Sequence, residues 1–407
     1  MSDNLSDLSL SIVFAGGGTA GHVNPLLSMA HAVQQTAPHA QITIIGTEAG
    51  LESRLVPQAG FPLKTIHKVP FPRRLNMDAL RFIPRWKAEM SRVKSILKET
   101  HADVVVGVGG YVSAPVYKAA HELHIPIVIH EQNAKAGMAN KLGSRWADFI
   151  GTTYDNSGLT AKKGLLRRVG LPLRDAIAST ATLLEHDPQQ ARVDAARCLG
   201  LDPQRPILLV TGGSLGALSL NAAVSHACKE LLDVTQVIHL CGNGKADAVA
   251  KTVSQLAGPH ALSTLSVSDN SSVQEGDYHL AEYLEHIELA FSCADLVICR
   301  SGAGTVNEIS ALGLPAIYVP LSFGNGEQRY NAEPVVHAGG GQLIADADFT
   351  AEWVKAHIPQ LLQDHAQLEK MHEATWRYGI RSASAQMAKE IIHLGTEHYF
   401  LTQGAQQ

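Results

Sequence analysis

The sequence predicts an α/β fold of the GT-B kind, two Rossmann-like domains each built on a parallel sheet. Three observations lead there. At 407 residues the chain is too long for one ordinary core. Its composition, 45% hydrophobic, 17% charged and only 5% aromatic, is the Ala/Val/Leu/Gly-rich profile of a cytosolic α/β enzyme. One grammar (short apolar strand, glycine loop, helix) also recurs, at Leu10–Gln35, His101–Pro115, Pro206–Asn221 and Leu296–Leu312.

Leu10–Ala15 is the first strand, and Gly16-Gly17-Gly18-Thr19-Ala20-Gly21-His22 follows it directly. A helix is expected over Asn24–Gln35 and a second strand over Gln41–Ile45, which makes a βαβ unit. Gly16, Gly18 and Gly21 satisfy G-x-G-x-x-G, with Glu48 after the second strand. That pattern alone is equally served by a tight turn and close helix–strand packing. His22 lies at the carboxyl end of the strand, where open α/β sheets bind ligands and an imidazole can act as a general base.

Phe71–Lys98 holds eight basic residues against Asp78 and Glu89, a net charge of +6 in a chain whose total is −5. Phe82, Ile83 and Trp86 crowd beside Pro84 and Arg85, which predicts a break in helical amphipathicity and an interfacial element for anionic lipid. The alternative is an ordinary amphipathic helix with its apolar side on the core. His101–Val108 and Ile125–His130 are the next strands. The second ends on Glu131-Gln132-Asn133, where Asn133 suits a sugar or amide contact or, equally, the N-cap of a helix from Ala134. Phe149–Thr152 is one more strand.

After Arg174 the pattern restarts. Asp175–Leu201 is helical and charged, and Pro206–Thr211 is a strand feeding Gly212-Gly213-Ser214-Leu215-Gly216-Ala217. Thr235–Leu240 is another strand, Thr264–Tyr278 a polar Ser-rich loop, and Ala351–Glu397 helical. The densest stretch is Leu296–Pro334. A strand at Leu296–Cys299 gives way to Ser301–Thr305, a helix resumes at Val306–Leu312, and Gly313 with Pro315 stops it before a strand at Ala316–Val319. A small-residue loop entering a helix presents free N–H groups and a positive dipole end, which suits phosphate. Glu308, one turn on, can accept hydrogen bonds from a ribose diol. Thr305-x-x-Glu308 is also a capping box, and the stretch by itself does not separate the two readings.

The net charge of −5 argues against a generic nucleic-acid binder. The five cysteines, all beyond Arg174, show no CxxC or His-rich spacing and read as reduced core residues, with no metal site expected. The N-terminus lacks a basic n-region, so no signal peptide is expected, and no apolar run approaches the ~18 residues of a membrane span.

The pieces GGGTAGHVNP, GVGGYVSAP, HEQNAKAGMANK, VGLPLR, TGGSLGA, CRSGAGTVNEISALGLPAIYVP and GNGEQRYNA stand in that order between Gly16 and Ala332. Together they resemble the MurG family, the undecaprenyldiphospho-muramoylpentapeptide β-N-acetylglucosaminyltransferases. The resemblance covers most of the chain and implies the GT-B fold, with the donor in a cleft between the domains. It implies transfer of GlcNAc from UDP-GlcNAc to lipid I, giving lipid II, with no cofactor, at the cytoplasmic face of the cell membrane. Residues 1–174 would form an acceptor and membrane domain, rejoined by a final helix over 381–400, and 175–380 the UDP-GlcNAc domain. Thr19, Ala20, Gly21 and His22 would line the cleft, His22 as candidate base. Asn133 would touch the GlcNAc, and Arg174 and Ser214 the nucleotide phosphates or base. Leu284 would hold the uracil through its backbone. Ala303, Gly304, Thr305, Val306, Asn307 and Glu308 would carry the diphosphate and ribose, and Gln328, with Glu327, the sugar hydroxyls. Phe82, Ile83, Arg85 and Trp86 would meet the membrane, and other cell-wall synthesis proteins are further implied partners. The sequence departs from the family at Ala20, Leu215 and Glu327. Competing readings are another GT-B UDP-sugar transferase, a UDP-GlcNAc 2-epimerase, a nicotinamide-dependent oxidoreductase using Glu48, and a non-catalytic UDP-sugar sensor or membrane-docking protein.

Overall fold

The structure, a computed structural model, describes residues 8–69, 77–265, 267, 274–322 and 326–404. Phe71–Asn76 of the basic stretch, residues 266 and 268–273 of the Ser-rich loop, and Phe323–Asn325 at the start of the GNGEQ region lie outside them. The chain divides into two compact units, Met1–Arg174 with Arg381–Gln407, and Asp175–Ile380.

The first unit holds seven strands: β1 Ser11–Ala15, β2 Gln41–Gly46, β3 Leu63–Thr65, β4 Val104–Gly107, β5 Ile127–Glu131, β6 Phe149–Thr152 and β7 Leu165–Arg168. All pair in parallel, in the order β3-β2-β1-β4-β5-β6-β7. Strand β1 is apolar throughout because both faces are covered. Ile12 and Phe14 join a core layer with Met29 and Val33 of helix Ala20–Thr36 and with Met387 and Ile391 of helix Ala383–Gly404. Val13 and Ala15 face the opposite layer, built with Val93 and Leu97 of helix Met77–Glu99 and Val116 of helix Gly110–Glu122.

The second unit repeats the plan with β8 Ile207–Thr211, β9 Gln236–Leu240, β10 Leu262–Thr264, β11 Tyr278–Ala281, β12 Leu296–Cys299, β13 Ala316–Tyr318 and β14 Gly341–Leu343. Its order is β10-β11-β9-β8-β12-β13-β14, again parallel throughout. The order reverses between β1 and β4 in the first sheet and between β8 and β12 in the second. Open α/β sheets bind ligands at such switch points, beyond the carboxyl ends of the strands. The four glycine loops picked out in the sequence follow those four strands.

Several expectations need correcting. Helix Met77–Glu99 runs through Pro84 without a break, since a proline removes one backbone donor and the neighbouring turns hold the axis. From Trp86 onward it carries an ordinary core stripe: Trp86 packs on the core, and Met90, Val93 and Leu97 are buried. The apolar cluster therefore splits. Ile83 is 60% exposed and Arg85 exposed, while Phe82 is half-buried with its ring 5.5 Å from that of Trp86. Asp175–Leu201 is two helices, with Asp187 capping the second by accepting from Gln190 N at 3.0 Å. Ala351–Glu397 is three, broken at Asp364 and Gly379.

Candidate functional site

At the first switch point, Gly16–Gly18 leads into helix Ala20–Thr36, which starts four residues earlier than its spacing predicts. Thr19 is the N-cap, and Ala20, Gly21 and His22 form the first turn. Thr19 Oγ1 and His22 Nδ1 lie 2.9 Å apart. When Nδ1–H donates to that hydroxyl, Nε2 is the ring's proton acceptor. Beyond β5, Asn133 is not an N-cap: the next helix is Met138–Gly143. Its backbone N–H instead donates to Glu131 Oε1 at 3.0 Å. Glu131 is 2% exposed and also accepts from Gly137 N (3.1 Å) and Asn140 Nδ2 (2.9 Å). Burial outweighs those donors and raises the Glu131 pKa. Tyr117 donates to Asn140 Oδ1 at 2.7 Å, which fixes the amide orientation. His130, fully buried, bonds the Gly170 carbonyl through Nε2 at 2.8 Å, and burial pushes its ring down to about 4. Arg174 is half-buried and ends the first segment of this unit.

At the second switch point, Ser214 is exposed in the loop after β8. Gly216 has φ +67°, and a Cβ there would overlap the Cys241 carbonyl, so only glycine lets these two loops meet. Below them Asn221 Nδ2 donates to Cys241 O (2.8 Å), while its Oδ1 faces His239 Nε2 (3.0 Å) and the Tyr278 hydroxyl faces His239 Nδ1 (2.6 Å). His239 is fully buried, which pushes its pKa down to about 3 and keeps this network neutral.

After β12, helix Ala303–Ala311 begins three residues before the spacing of its apolar side chains suggests. Its N-cap is Gly302, and the first N–H bonded back is Val306 to Gly302 O at 3.0 Å. The N–H groups of Ala303, Gly304 and Thr305 precede that bond and have no intrahelical acceptor. Thr305 is therefore the third helical residue, not an N-cap, and Thr305-x-x-Glu308 is not a capping box. Among the described residues the space ahead of the tip is open. A Cβ on Gly304 would meet nothing within 4 Å, and one on Gly302 only Thr305 Oγ1 at 4.0 Å. Ser301 beside it is fully buried, and its Oγ has no hydrogen-bond partner among the described residues. Glu308 lies one turn along, half-buried, while Val306 is core and Asn307 Nδ2 donates to Ala303 O at 2.8 Å.

Gln328 enters from helix Glu327–His337, its Oε1 accepting from Leu321 N at 3.0 Å, and Asn331 Nδ2 ties that helix to Ser301 O at 3.3 Å. Leu284 is 6% exposed just past β11. Thr19–His22 thus stand at the first switch point, and Ser214 with Ala303–Glu308 at the second, whereas Asn133 follows β5 and Leu284 follows β11, strands outside those points.

Sequence reasoning missed the groups beneath these loops. Arg300 is 8% exposed and reaches Asp346 Oδ1 (2.7 Å), Val319 O (2.9 Å) and Ser219 Oγ (2.8 Å). Burial would raise the Asp346 pKa, but the Ser219 hydroxyl and the Arg300 guanidinium hold it below the usual range. Glu52 plays a comparable part in the first unit. The signal for Arg300 was its place at the end of a strand, whereas nothing in the local sequence marked Glu52.

Comparison with known proteins matches residues 12–152 to the Glycosyltransferase family 28 N-terminal domain and residues 207–391 to the Glycosyltransferase family 28 C-terminal domain. The UDP-N-acetylglucosamine–N-acetylmuramyl-(pentapeptide) pyrophosphoryl-undecaprenol N-acetylglucosamine transferase of Bifidobacterium longum is 58% identical, over 94% of this chain and 97% of its own length. The enzyme of the same name from Paenarthrobacter aurescens is 42% identical, over 94% and 96%. Among solved structures, Acinetobacter baumannii MurG superposes with a TM-score of 0.72 at 25% identity, covering 94% of this chain and 99% of that one. A UDP-GlcNAc 2-epimerase from Neisseria meningitidis gives 0.64 at 14% identity, over 96% and 100%, a likeness of fold alone. The nicotinamide reading of Gly16–Gly21 and Glu48 falls away with these matches. The chain belongs to glycosyltransferase family 28 and, within it, to the MurG family.

Proposed function

We propose that this protein transfers GlcNAc from UDP-GlcNAc to lipid I, the lipid-linked muramoyl-pentapeptide, to give lipid II for peptidoglycan. The observation that carries the donor half is the uncapped helix tip at Gly302–Thr305, with open space before it and Glu308 one turn along. Three N–H groups and a helix dipole meet the diphosphate, and the Glu308 carboxylate accepts from the ribose hydroxyls. Ser214 serves the phosphates with Arg174, Leu284 lies by the uracil, and Gln328 with Glu327 reads the sugar.

The reaction is a single inverting displacement. The acceptor 4-hydroxyl attacks the anomeric carbon, the new C–O bond forms as the bond to UDP breaks, and the hydroxyl proton passes to His22 Nε2. Charge growing on the departing diphosphate is stabilised by the preoriented amides of the helix tip. Asn133 holds the GlcNAc. Ile83 and Arg85, exposed on helix Met77–Glu99, and Phe82 with Trp86 beside them, seat the enzyme on an anionic membrane at its cytoplasmic side. Among the described residues no helix is long and apolar enough to cross a membrane.

Lipid II formation and UDP release, measured with lipid I and UDP-GlcNAc against UDP-GalNAc and UDP-glucose, test the reading. Product is expected with UDP-GlcNAc alone; UDP-GlcNAc binding without lipid II would sink it. Replacing Phe82 and Ile83 by Ser should weaken sedimentation with anionic vesicles, and unchanged sedimentation would refute the docking role.

A further inference from the structure

Glu52 is the first residue of the short helix Glu52–Gln58, and at 1% exposure it is among the most buried carboxylates of the molecule. Its Oε2 accepts from Gly18 N at 2.8 Å; its Oε1 accepts from Thr47 N at 2.9 Å and from the Thr47 hydroxyl at 2.7 Å. One side chain thus ties the loop after β1 to the loop after β2. The backbone is shaped around it, since a Cβ at Gly17, Gly46 or Gly50 would overlap Glu52. Burial alone would raise its pKa, but the donors from Gly18 and Thr47 prevail and hold it below the usual carboxylate range, so Glu52 is ionised at neutral pH. The residue after Gly18 is Thr19, which stands at the N-cap position of the helix and turns its hydroxyl to the His22 ring rather than to a backbone N–H.

We propose that Glu52 is a positioning residue of the transfer reaction: it anchors the β1 loop at Gly18 and thereby sets the Thr19–His22 pair at the acceptor site. This rests on His22 acting there, as proposed above. Gly18 has φ +95° and open space on its outer side, so the loop's conformation depends on the bond beneath it. Glutamine at position 52 is nearly isosteric, yet its amide nitrogen would face one of the N–H donors the carboxylate now satisfies. The anchor is lost at Gly18 or at Thr47, and the loop is free to shift.

The test compares Glu52→Gln with the unchanged protein in steady-state transfer from UDP-GlcNAc to lipid I, with UDP titration alongside. Displacement of a catalytic pair by a fraction of an ångström predicts kcat lower by about 10–100-fold. KM for UDP-GlcNAc and the Kd for UDP should stay within about twofold, because the second unit carries the donor residues. Amide exchange at Gly18, protected in the unchanged protein, should become fast. A folded Glu52→Gln protein with unchanged kcat, even with a lowered Tm, would make Glu52 a structural tie and overturn the proposal. Should that variant not fold, Thr47→Val decides: it removes one hydroxyl donor, and a kcat reduced about threefold at constant donor KM supports the proposal, whereas an unchanged kcat overturns it. Failure of the unchanged protein to make lipid II would strike the transferase reading, while Gly18 exchange still reports the anchor.

Discussion

The two switch points use the same loop grammar over opposite foundations. Beneath the first lie two buried carboxylates, Glu52 and Glu131, each satisfied by backbone N–H groups, a hydroxyl or an amide, with no ion pair to either among the described residues. Beneath the second lie a neutral network, Asn221–His239–Tyr278, and Arg300 paired with Asp346. The ionised Glu52 behind the first glycine loop repels a diphosphate, whereas the neutral network and the charge-paired arginine of the second leave its helix dipole to attract one. The second point therefore suits a nucleotide diphosphate. Glycine loops that look alike in sequence are told apart by what is packed under them.

That contrast can be broken experimentally. The largest effect is expected for His22→Ala, which should lower kcat by about 10²–10⁴ while leaving UDP affinity, measured by calorimetry, unchanged. Loss of UDP binding in that variant would move His22 to the donor side. Acidification probes the foundations themselves. An unfolded imidazole protonates near pH 6.5, but His130 in the first unit holds off to about 4, and His239 and His279 in the second to about 3 and about 4. Between those values the unfolded chain carries the extra proton, so stability is full above pH 6.5 and is lost as pH falls toward 4. The loss is on the order of 3 kcal/mol for His130. Burial also lowers His398 in the first unit, but the deepest shift, at His239, lies in the second, which should melt first; residue-resolved amide exchange at pH 5 would read this, and earlier loss of the first unit would contradict it.

A smaller effect sharpens the anion argument. Gly304→Asp places a carboxylate at the helix tip, where its Cβ meets nothing within 4 Å among the described residues and its charge favours the dipole. Tm should hold or rise slightly while UDP affinity drops about tenfold or more; retained affinity would put the diphosphate elsewhere. Smallest of all, Tyr278→Phe removes one partner of His239 and should cost about 1 kcal/mol in denaturant unfolding, with kcat unaltered.

Strands β1, β4, β5, β8, β9 and β12 were legible because strands covered on both faces must be continuously apolar. The strands missed, β3, β7, β10, β11 and β14, are three or four residues long, and four of them are sheet edges. β7, Leu165–Arg168, shows how little signal an edge offers, with two arginines and three exposed positions. The start of helix Ala303–Ala311 was placed too late because its first turn is Ala, Gly and Thr, which carry no apolar periodicity. Pro84 misled in the other direction: a proline reads as a break, yet the flanking turns carry the helix past it.

By itself the sequence determined the two-unit α/β architecture, the glycine loops at the strand ends and the family, since these rest on local runs and ordered motifs. Only the tertiary structure decided what stands behind each loop. Glu52 meets Gly18 across 34 residues, and Arg300 meets Ser219 across 81. No local pattern encodes contacts at such separations, because they follow from which strands the sheet sets side by side. It was also the helix's own N-cap, Gly302 in place of Thr305, that left the first-turn amides open and gave Glu308 its place one turn along.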